Sequence, residues 1–499
     1  MASHGASLEA MFQPESVALL GASATHGKSG NNILKNLLQG NFTRGLYPIN
    51  PNHAEILGIE TFPSIVSLPR VAYPIDLAVI CLPPAHVHAA FKECCTNAVN
   101  TMIIESGQLA ETPAASEECK RAMLLQLSKM EHRPLVLGPN SIGIIDFNSR
   151  TNTSLIPFEE LPVQASPGIA IAGQTGLIAS GYLQRILARD LFPVSKVICL
   201  GNKMDMNEKH VLEYLTNDPS TGAIFLYLED ARSGRDFMMQ GRQAIKVHGK
   251  PIFILKSGRS KAGAQMVTSH TGSIAGDDRI FSAVLKSTGM QRVANFEEFW
   301  DMGRFLHAAG IPRGKNIAIV SISGAGCALS LDAAELYHLQ VPPLSRDARK
   351  AISKLFPNWF AFTNPIDSWA AIERNGSEVA HAKMLEILYQ EPLDGILLVT
   401  LAMPESLLDW ADIALRRQEH PNVPLMLALL GGHDDLIVEW HEKCKALSIP
   451  VYASPDHALR DFSRAFNSLP LGREGPLIGK CRPFFNVGPA INGHNRDFS

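Results

Sequence analysis

The sequence is poor in the residues and spacings from which metal sites and disulfide frameworks are built. Eight cysteines are scattered over 499 residues, and the one adjacent pair is Cys94 and Cys95. Because no Cys-x-x-Cys occurs, neither a zinc site nor a set of structural disulfides is indicated. We therefore predict no metal ion held by this chain's own residues.

Two further absences narrow the class of protein. No apolar run is long enough for a membrane-spanning helix, and the first residues (MASHGASLEAMF) lack the pattern of a signal peptide. The formal net charge is -3, which provides no basic field to attract a nucleic acid. We expect a cytoplasmic protein without a membrane or nucleic-acid partner.

What the sequence does have is a repeated alternation of short apolar runs and helical patterns, with 46% apolar residues to fill several cores. Such alternation indicates an α/β fold, with parallel sheets covered on both faces. The predicted strands fall into three groups: 17–20, 46–49, 77–81, 102–104 and 135–137; 169–172, 196–200, 223–228 and 251–255; 317–322, 395–400, 425–429 and 451–453.

The length predicts roughly three domains at ~150 residues each. We place them at residues 1–147, 148–309 and 310–468. A segment rich in Pro and Gly follows at 469–499, which we predict to be an extended C-terminal arm.

A basic segment of small residues follows the predicted strand at 251–255 and contains one histidine, His270; it reads KSGRSKAGAQMVTSHTGSIAGDD. Ligands of open α/β sheets bind beyond the carboxyl ends of the strands, where this segment begins. A neutral imidazole is a usable nucleophile near neutral pH, and Arg259 and Lys261 supply charge that suits a phosphate. On spacing alone, a catalytic loop and a solvated loop with an incidental histidine are equally well supported.

The first predicted strand leads into VALLGASATHGKSG, a glycine-rich turn of the kind that brings a phosphate to a helix N-terminus. It is not a P-loop, since five residues rather than four separate Gly21 from Gly27. It also lacks the acid that a dinucleotide-binding fold places about 20 residues later. The second strand instead ends in YPINPNH, where Asn50 and His53 suit a further phosphate contact. This argues against NAD, and a plain strand–helix turn stays as the alternative.

Other loops after predicted strands carry rigid or polar residues. CLPP at 81–84 and LGPNSIG at 137–143 are each more often structural turns. AGQTG at 172–176 offers backbone N–H groups and a positive dipole end to an anion. The strand at 223–228 closes with Glu229, and a carboxylate there can orient an imidazole, although a solvated residue or a helix cap is an equal alternative.

Together these segments resemble the α-type subunit of the nucleoside-diphosphate-forming acyl-CoA synthetases, the superfamily that contains succinyl-CoA synthetase. The resemblance covers about the first 465 residues and rests most on SHTGSIAGDD. Further segments fall in the family's order: VALLGASATHGKSG, YPINPNH, LGPNSIG, GNKMDMNE and NPID. The resemblance implies a CoA-binding Rossmann-like domain followed by two flavodoxin-like domains.

Carried over onto matching positions, the resemblance implies that His270 is the phosphorylated residue and that Glu229 hydrogen-bonds it. It further implies that the phosphoryl group is held by Gln174, Thr175 and Gly176. CoA would be bound by residues of the first domain: Gly21, Ser23, Gly27, Lys28, Ser29, Asn50, His53, Pro83 and Asn140.

The sequence departs from the family at two places. The family often has Cys where Ser141 stands, and its ITAGF-like segment reads IIESGQL at 103–109. Both places lie near the thiol end of CoA or the acyl pocket in the family, so the identity of the acid substrate stays open.

No ATP-grasp segment is found, because no lysine-bearing strand pairs with a glycine-rich lid. In the family this module is fused or sits on a separate β subunit. The resemblance therefore implies an ATP-grasp partner, in an α2β2 assembly, through which ATP/ADP and Mg²⁺ are bound.

The activity that the resemblance implies is acid + CoA + ATP ⇌ acyl-CoA + ADP + phosphate, through an acyl phosphate and a phosphohistidine, with a small carboxylic acid as substrate. Two other classes remain in view. One is a CoA- or acyl-CoA-binding scaffold or sensor without turnover. The other is a nucleotide-dependent oxidoreductase, which the missing acid after the second strand disfavours.

Overall fold

The computed structural model describes residues 8–42, 45–189, 191–271 and 276–468, except for the side chains at 269–271. The predicted arm at 469–499 lies outside these residues. The chain forms two compact units, which divide between Phe299 and Trp300. In the described part of the chain, no helix has both the length and the apolar composition needed to cross a bilayer.

The first unit opens with a five-stranded parallel sheet, called sheet 1, and a short antiparallel ribbon beside it. The strands are β1 (Ser16–Leu20), β2 (Gly45–Ile49), β3 (Glu55–Ile56), β4 (Ile59–Glu60), β5 (Ile75–Ile80), β6 (Val99–Ile104) and β7 (Leu135–Leu137). The helices are α1 (Glu9–Phe12), α2 (Ser29–Gln39), α3 (Pro84–Thr96) and α4 (Pro113–Ser128), with 3₁₀ turns at Ile65–Ser67 and Arg70–Ala72. Sheet 1 has the order β2-β1-β5-β6-β7, and β3 pairs with β4. The direction of winding therefore reverses between β1 and β5, where such folds bind ligands.

Alternation along the strands of sheet 1 separates two apolar clusters, one on each face. Val17 and Leu19 belong to one cluster, and Ala18 and Leu20 belong to the other. This is the pattern expected of a strand buried on both faces between helices.

A second sheet, sheet 2, completes the first unit. Its strands are β8 (Ile144–Asp146), β9 (Thr151–Asn152), β10 (Gly168–Gly173), β11 (Val194–Cys199), β12 (Thr221–Leu228), β13 (Ile252–Lys256) and β14 (Gln291–Val293). A π-helical turn at Ile178–Tyr182 leads into α5 (Leu183–Arg189), followed by α6 (Glu208–Asn217), α7 (Gly234–Lys246), α8 (Lys261–Thr271) and α9 (Asp278–Thr288). Helix α10 (Phe296–Ala309) begins in the first unit and continues into the second. The order is β14-β13-β12-β10-β11-β8-β9, so the winding reverses between β10 and β12.

Sheets 1 and 2 share one apolar cluster. Val17 and Leu77 from sheet 1 lie in the same buried cluster as Ala170, Ile198 and Ile224 from sheet 2. β8, which precedes the sequence-based boundary at residue 147, pairs antiparallel with β11 and so belongs to sheet 2. The two sheets are therefore joined by a common core as well as by the chain.

The second unit has one parallel sheet, sheet 3. Its strands are β15 (Ile317–Ser321), β16 (Ile366–Asp367), β17 (Gly395–Ala402), β18 (Leu425–Gly432) and β19 (Val451–Tyr452). Its helices are α11 (Gly324–Leu336), α12 (Arg346–Ser353), α13 (Trp369–Asn375), α14 (Ser377–Leu388), α15 (Trp410–Glu419), α16 (Asp434–Ala446) and α17 (Pro455–Asn467), with a 3₁₀ turn at Pro404–Ser406. The order β16-β15-β17-β18-β19 again reverses beside the first strand, between β15 and β17.

The α/β fold class is confirmed, and every predicted strand coincides with an observed one to within three residues at either end. The basic segment after β13 differs from its prediction as a loop, because Lys261–Thr271 form helix α8. Ser260 starts this helix, since its side-chain oxygen accepts from Gly263 N at 3.0 Å and its carbonyl from Ala264 N at 2.8 Å. The sequence did not predict this helix because its residues are mostly small and show no apolar periodicity. Among its described side chains, Val267 is the one buried apolar residue.

Candidate active site

The glycine-rich turn of sheet 1 lies at the switch point between β1 and β5. Gly21 follows β1 with φ +98°, and a Cβ there would lie 2.1 Å from the carbonyl oxygen of Cys81 at the end of β5. Gly30 has the same constraint, because its Cβ would lie 2.0 Å from the Gly21 oxygen. Side chains at either position would force the strand, the turn and the helix apart. The predicted turn is therefore a close-packed element of the fold and not a free loop.

The start of α2 offers an anion site. Lys28 precedes the helix in an extended conformation, and no side chain caps the first turn. The first N–H groups of a helix lack intrahelical partners, and the helix dipole favours negative charge there. Lys28 is exposed and Ser29 half-buried, while Gly27 has φ +81° beside open space. This arrangement suits a phosphate group.

Asn50 and Ser23 hold the turn in shape. The Asn50 side chain donates to Ala22 O at 2.8 Å and accepts from Asn52 N at 2.7 Å. Ser23 O accepts from the side chain of Asn31 at 2.8 Å, within helix α2. Asn50 therefore fixes the backbone beside the anion site, whereas His53 is exposed at the end of the same segment.

Pro83 and Asn140 lie on neighbouring strand-end loops of sheet 1. Pro83 is exposed at the position before α3. Asn140 has φ +60° and donates from its side chain to the Asn202 side-chain oxygen at 3.2 Å, which reaches the loop after β11 of sheet 2. Ser141 donates to Cys199 O at 2.6 Å, also on β11. LGPNSIG therefore joins the carboxyl edges of sheets 1 and 2.

Gln174 and Glu229 meet at the switch point of sheet 2, at the ends of β10 and β12. The Gln174 side-chain oxygen accepts from Glu229 N at 2.8 Å and from Asp230 N at 3.3 Å. Gln174 is 7% exposed, and its Nε2 has no hydrogen-bond partner among the described residues. Buried side-chain amides are nearly always satisfied, so this donor lacks a partner that such a group normally has.

Thr175 and Gly176 continue from Gln174 into the helical turn. The Thr175 hydroxyl accepts from Leu177 N at 3.2 Å, which satisfies one amide at the start of the turn. A Cβ on Gly176 would lie 2.3 Å from a side-chain carbon of Ile142 in LGPNSIG. The structure therefore brings this predicted anion-binding turn against the loop that carries Asn140.

Two buried lysines, Lys203 and Lys256, hold the turn that carries Glu229. Lys203 donates to Asp230 O at 2.9 Å and forms ion pairs with Asp230 at 2.5 Å and Glu208 at 2.9 Å. Lys256, at the end of β13, donates to Glu229 O at 2.7 Å. Burial lowers the pKa of Lys256 from its ordinary value. The signal in the sequence is a lysine at or just beyond the end of a predicted strand.

His270 lies in the last turn of α8, and its side chain falls outside the described part of the structure. Glu229, its expected partner, is 7% exposed. Arg259 lies 50% exposed before α8 and is 3.8 Å from Asp278, while Lys261 is exposed. The described residues thus bring Gln174, Thr175, Gly176 and Glu229 together, and the position of the His270 imidazole stays a prediction.

Two family models match the first unit. Residues 15–145 match the family described as a CoA binding domain, and residues 166–306 match the family described as a succinyl-CoA ligase like flavodoxin domain. These ranges contain sheet 1 and the parallel strands of sheet 2 respectively.

Curated relatives extend the similarity over both units. The ADP-forming acetate–CoA ligase II of Archaeoglobus fulgidus is 32% identical over 464 residues, which are 91% of this chain and 65% of that protein. The α subunit of ADP-forming acetate–CoA ligase I of Pyrococcus furiosus is 29% identical over 92% of this chain and 97% of that subunit. Over nearly its whole length the chain is therefore similar to ADP-forming CoA ligases. It spans somewhat under two thirds of the Archaeoglobus protein's length and nearly all of the Pyrococcus subunit's.

A solved structure supports the fold. The Ca. Korarchaeum cryptofilum dinucleotide forming acetyl-coenzyme A synthetase 1, in complex with phosphate and ADP, superposes with a TM-score of 0.79 at 24% identity. The match covers 93% of this chain and 97% of that one.

Proposed function

We propose that this chain is the CoA-binding and phosphoryl-transferring part of an ADP-forming acyl-CoA synthetase, which catalyses acid + CoA + ATP ⇌ acyl-CoA + ADP + phosphate. The observation that carries the proposal is the β10/β12 switch point, where Gln174 holds the Glu229 turn and keeps a buried amide group unpartnered. The uncapped start of α2 supplies a second anion site, on sheet 1. One site suits the phosphoryl group and the other suits the phosphates of CoA.

Three chemical steps follow. Phosphate attacks the thioester carbon of acyl-CoA, the C–S bond breaks, and acyl phosphate and free CoA form. His270 then attacks the phosphorus and releases the carboxylic acid. Finally the phosphorylated imidazole transfers its group to ADP, and synthesis of acyl-CoA runs the same steps backwards. Each step depends mainly on positioning and charge stabilisation.

The chain's residues divide this work. The Gln174 amide donates to a phosphoryl oxygen, together with the backbone of Thr175 and Gly176. Glu229 orients the imidazole of His270. Lys28 and the first turn of α2 hold the phosphates of CoA, and Pro83 and Asn140 border its path toward sheet 2.

The nucleotide step needs a further module. We propose that ATP/ADP and Mg²⁺ bind to an ATP-grasp β partner in an α2β2 assembly, or to an ATP-grasp region joined to this chain. The relatives support both forms, because one is an α subunit of matching length and others are longer proteins. We assign CoA binding to residues 1–147, phosphoryl transfer to 148–309 and a second ligase domain to 310–468.

The substrate is a carboxylic acid. Relatives are named for acetate, for 4-hydroxybutyrate and for trans-feruloyl-CoA, which differ widely in size and polarity. We therefore propose a small or substituted carboxylic acid.

Calorimetry on the purified chain tests the assignment of sheet 1. We expect binding of CoA in the micromolar range and none of NADH, because no acid follows β2 to hold a ribose. Binding of NADH without CoA would favour an oxidoreductase.

An activity assay tests the need for a partner. We expect no ATP-dependent synthesis of acyl-CoA by the chain alone and activity once an ATP-grasp subunit is added. Robust synthesis by the chain alone would contradict the partner proposal.

A further inference from the structure

Glu105 is a buried acid that the proposed reaction leaves unexplained. It follows β6 directly and is 6% exposed. Neither of its carboxyl oxygens has a hydrogen-bond partner among the described residues, and none of those residues forms an ion pair with it. Burial raises the pKa of Glu105 well above its ordinary value, which favours the neutral, protonated form of the carboxyl group. Such a group offers one O–H donor and one acceptor.

The backbone on both sides of Glu105 is held firmly. Ser106 donates from its hydroxyl to Leu82 O at 2.7 Å, and its carbonyl accepts from Asn140 N at 2.9 Å. Ile104 O accepts from Ser141 N at 3.4 Å. Glu105 therefore sits between the loops that carry Pro83 and Asn140, the two residues proposed to border CoA nearest to sheet 2.

The position along the edge of sheet 1 places Glu105 toward the reacting end of CoA. The phosphate site is at β1, and β5, β6 and β7 follow in order toward the loop that joins sheet 2. A CoA molecule that is held by its phosphates at α2 and reaches Gln174 with its thiol must cross β6.

We propose that Glu105 is a specificity-determining residue of the acyl pocket, and that the substrate is an acid whose chain carries a hydrogen-bonding substituent such as a hydroxyl group. This inference rests on the proposed function. A site built around a buried hydrogen-bonding group rejects a ligand that leaves the group unpaired far more strongly than an apolar site rejects an extra hydroxyl. Plain alkanoates would leave Glu105 unpaired, and hydroxylated acids of the same length would not.

The test is calorimetric and uses the full chain alone. The probes are free CoA, butyryl-CoA, its 2-, 3- and 4-hydroxy derivatives, and the matched pair cinnamoyl-CoA and 4-hydroxycinnamoyl-CoA. We expect at least one hydroxylated member to bind about 10-fold or more tightly than its unsubstituted partner. Glu105→Gln keeps a donor and an acceptor and should keep most of that preference. Glu105→Met removes both and should abolish it, with the affinity for free CoA unchanged.

The outcomes separate this inference from the function on which it rests. If free CoA does not bind, the proposed function fails. If CoA binds but no hydroxylated probe is preferred, or if Glu105→Met keeps the preference, Glu105 does not select the acyl group. Should Glu105→Met fail to fold, the wild type and Glu105→Gln decide the question. The inference is rejected if the wild type shows no preference for a hydroxylated probe, and it is supported if Glu105→Gln keeps the preference of the wild type.

Discussion

Sheets 2 and 3 have the same kind of winding but differ in what lies at their carboxyl edges. At the edge of sheet 2 the buried side chains are an amide, two acids and two lysines: Gln174, Glu229, Asp230, Lys203 and Lys256. At the edge of sheet 3 the buried polar side chains include the hydroxyl groups of Ser321, Ser368 and Thr400. Burying charge is costly unless it is paired, so the buried ionic groups at the carboxyl edge of sheet 2 distinguish it from that of sheet 3. The winding alone therefore does not assign function.

The buried charges of the second unit lie on helices instead. Arg460 on α17 pairs with Asp461 at 2.8 Å and with Asp301 on α10 at 3.3 Å. The first residue of the NPID segment, Asn364, also has a structural role. Its side chain accepts from Ile319 N and donates to Ile317 O, both at 3.0 Å. These contacts are internal to the fold.

The largest expected effect is on the stability of the first unit. Lys203→Met would leave Glu208 buried without its cation and Asp230 with only Arg232, 3.5 Å away, which should destabilise the fold by about 3–5 kcal/mol. Urea unfolding followed by circular dichroism would measure it. Lys209→Met is the matched control, because Lys209 pairs with Asp236 at the surface and its loss should cost less than about 1 kcal/mol. Equal effects of the two substitutions would show that the buried ion pairs of Lys203 stabilise the fold no more than a surface ion pair does.

Gln174→Glu tests whether the carboxyl edge of sheet 2, unlike that of sheet 3, takes part in phosphoryl transfer. The variant keeps an acceptor for the two backbone amides and replaces the unpartnered donor group with an oxygen. We expect phosphoryl transfer to slow by about 10²-fold, as for other lost anion-binding donors, with CoA affinity unchanged. Ser323→Ala, at the turn after the first strand of sheet 3, removes the cap of α11 and should leave the rate unchanged. A normal rate in Gln174→Glu would remove the phosphoryl role from this turn.

Lys28→Glu addresses the anion site of sheet 1. Reversing the charge beside the start of α2 should weaken CoA binding about 10-fold, because an attraction becomes a repulsion. Lys35→Glu makes the same change further along the same helix, on an exposed residue, and should have little effect. Calorimetry on both variants would show whether the position or merely the net charge matters.

The smallest effect concerns pH and the second unit. Burial lowers the pKa of His381 to about 4 and raises the pKa of Asp461 to about 6. As pH rises from 4 to 6, the folded state gains stability from His381, whose unfolded form binds more protons, and loses it through Asp461, whose folded form does. We expect these slopes to offset each other, so the stability of this unit should change little over that range.

His381→Leu should unmask the contribution of Asp461, so that stability falls as pH rises from 4 to 6. All five tryptophans lie at or beyond Trp300, so their fluorescence reports unfolding of the second unit. A rise in stability over the same range in His381→Leu would contradict this assignment.

The sequence alone predicts the strands and the positions of Gln174 and Glu229 at strand ends, because both follow from the apolar pattern of neighbouring residues. It did not predict α8, whose small residues carry little hydrophobic period, nor β8, whose pairing with β11 depends on a partner about 50 residues away. The contact of Lys256 with Glu229 O is likewise made between neighbouring strands, so no local pattern predicts it. Local sequence patterns therefore predict which residues lie at the strand ends, whereas contacts between residues distant in the sequence fix the conformation of the turns that carry them.

The most direct test of the central claim is transfer of labelled phosphate to His270. The chain is incubated with ³²P-phosphate and a panel of acyl-CoA thioesters, so that no nucleotide partner is needed. We predict label on the chain that is lost in acid and stable in base, as expected of phosphohistidine, and that is absent from His270→Asn. Label that survives in His270→Asn, label that resists acid, or no label with any thioester would contradict the account.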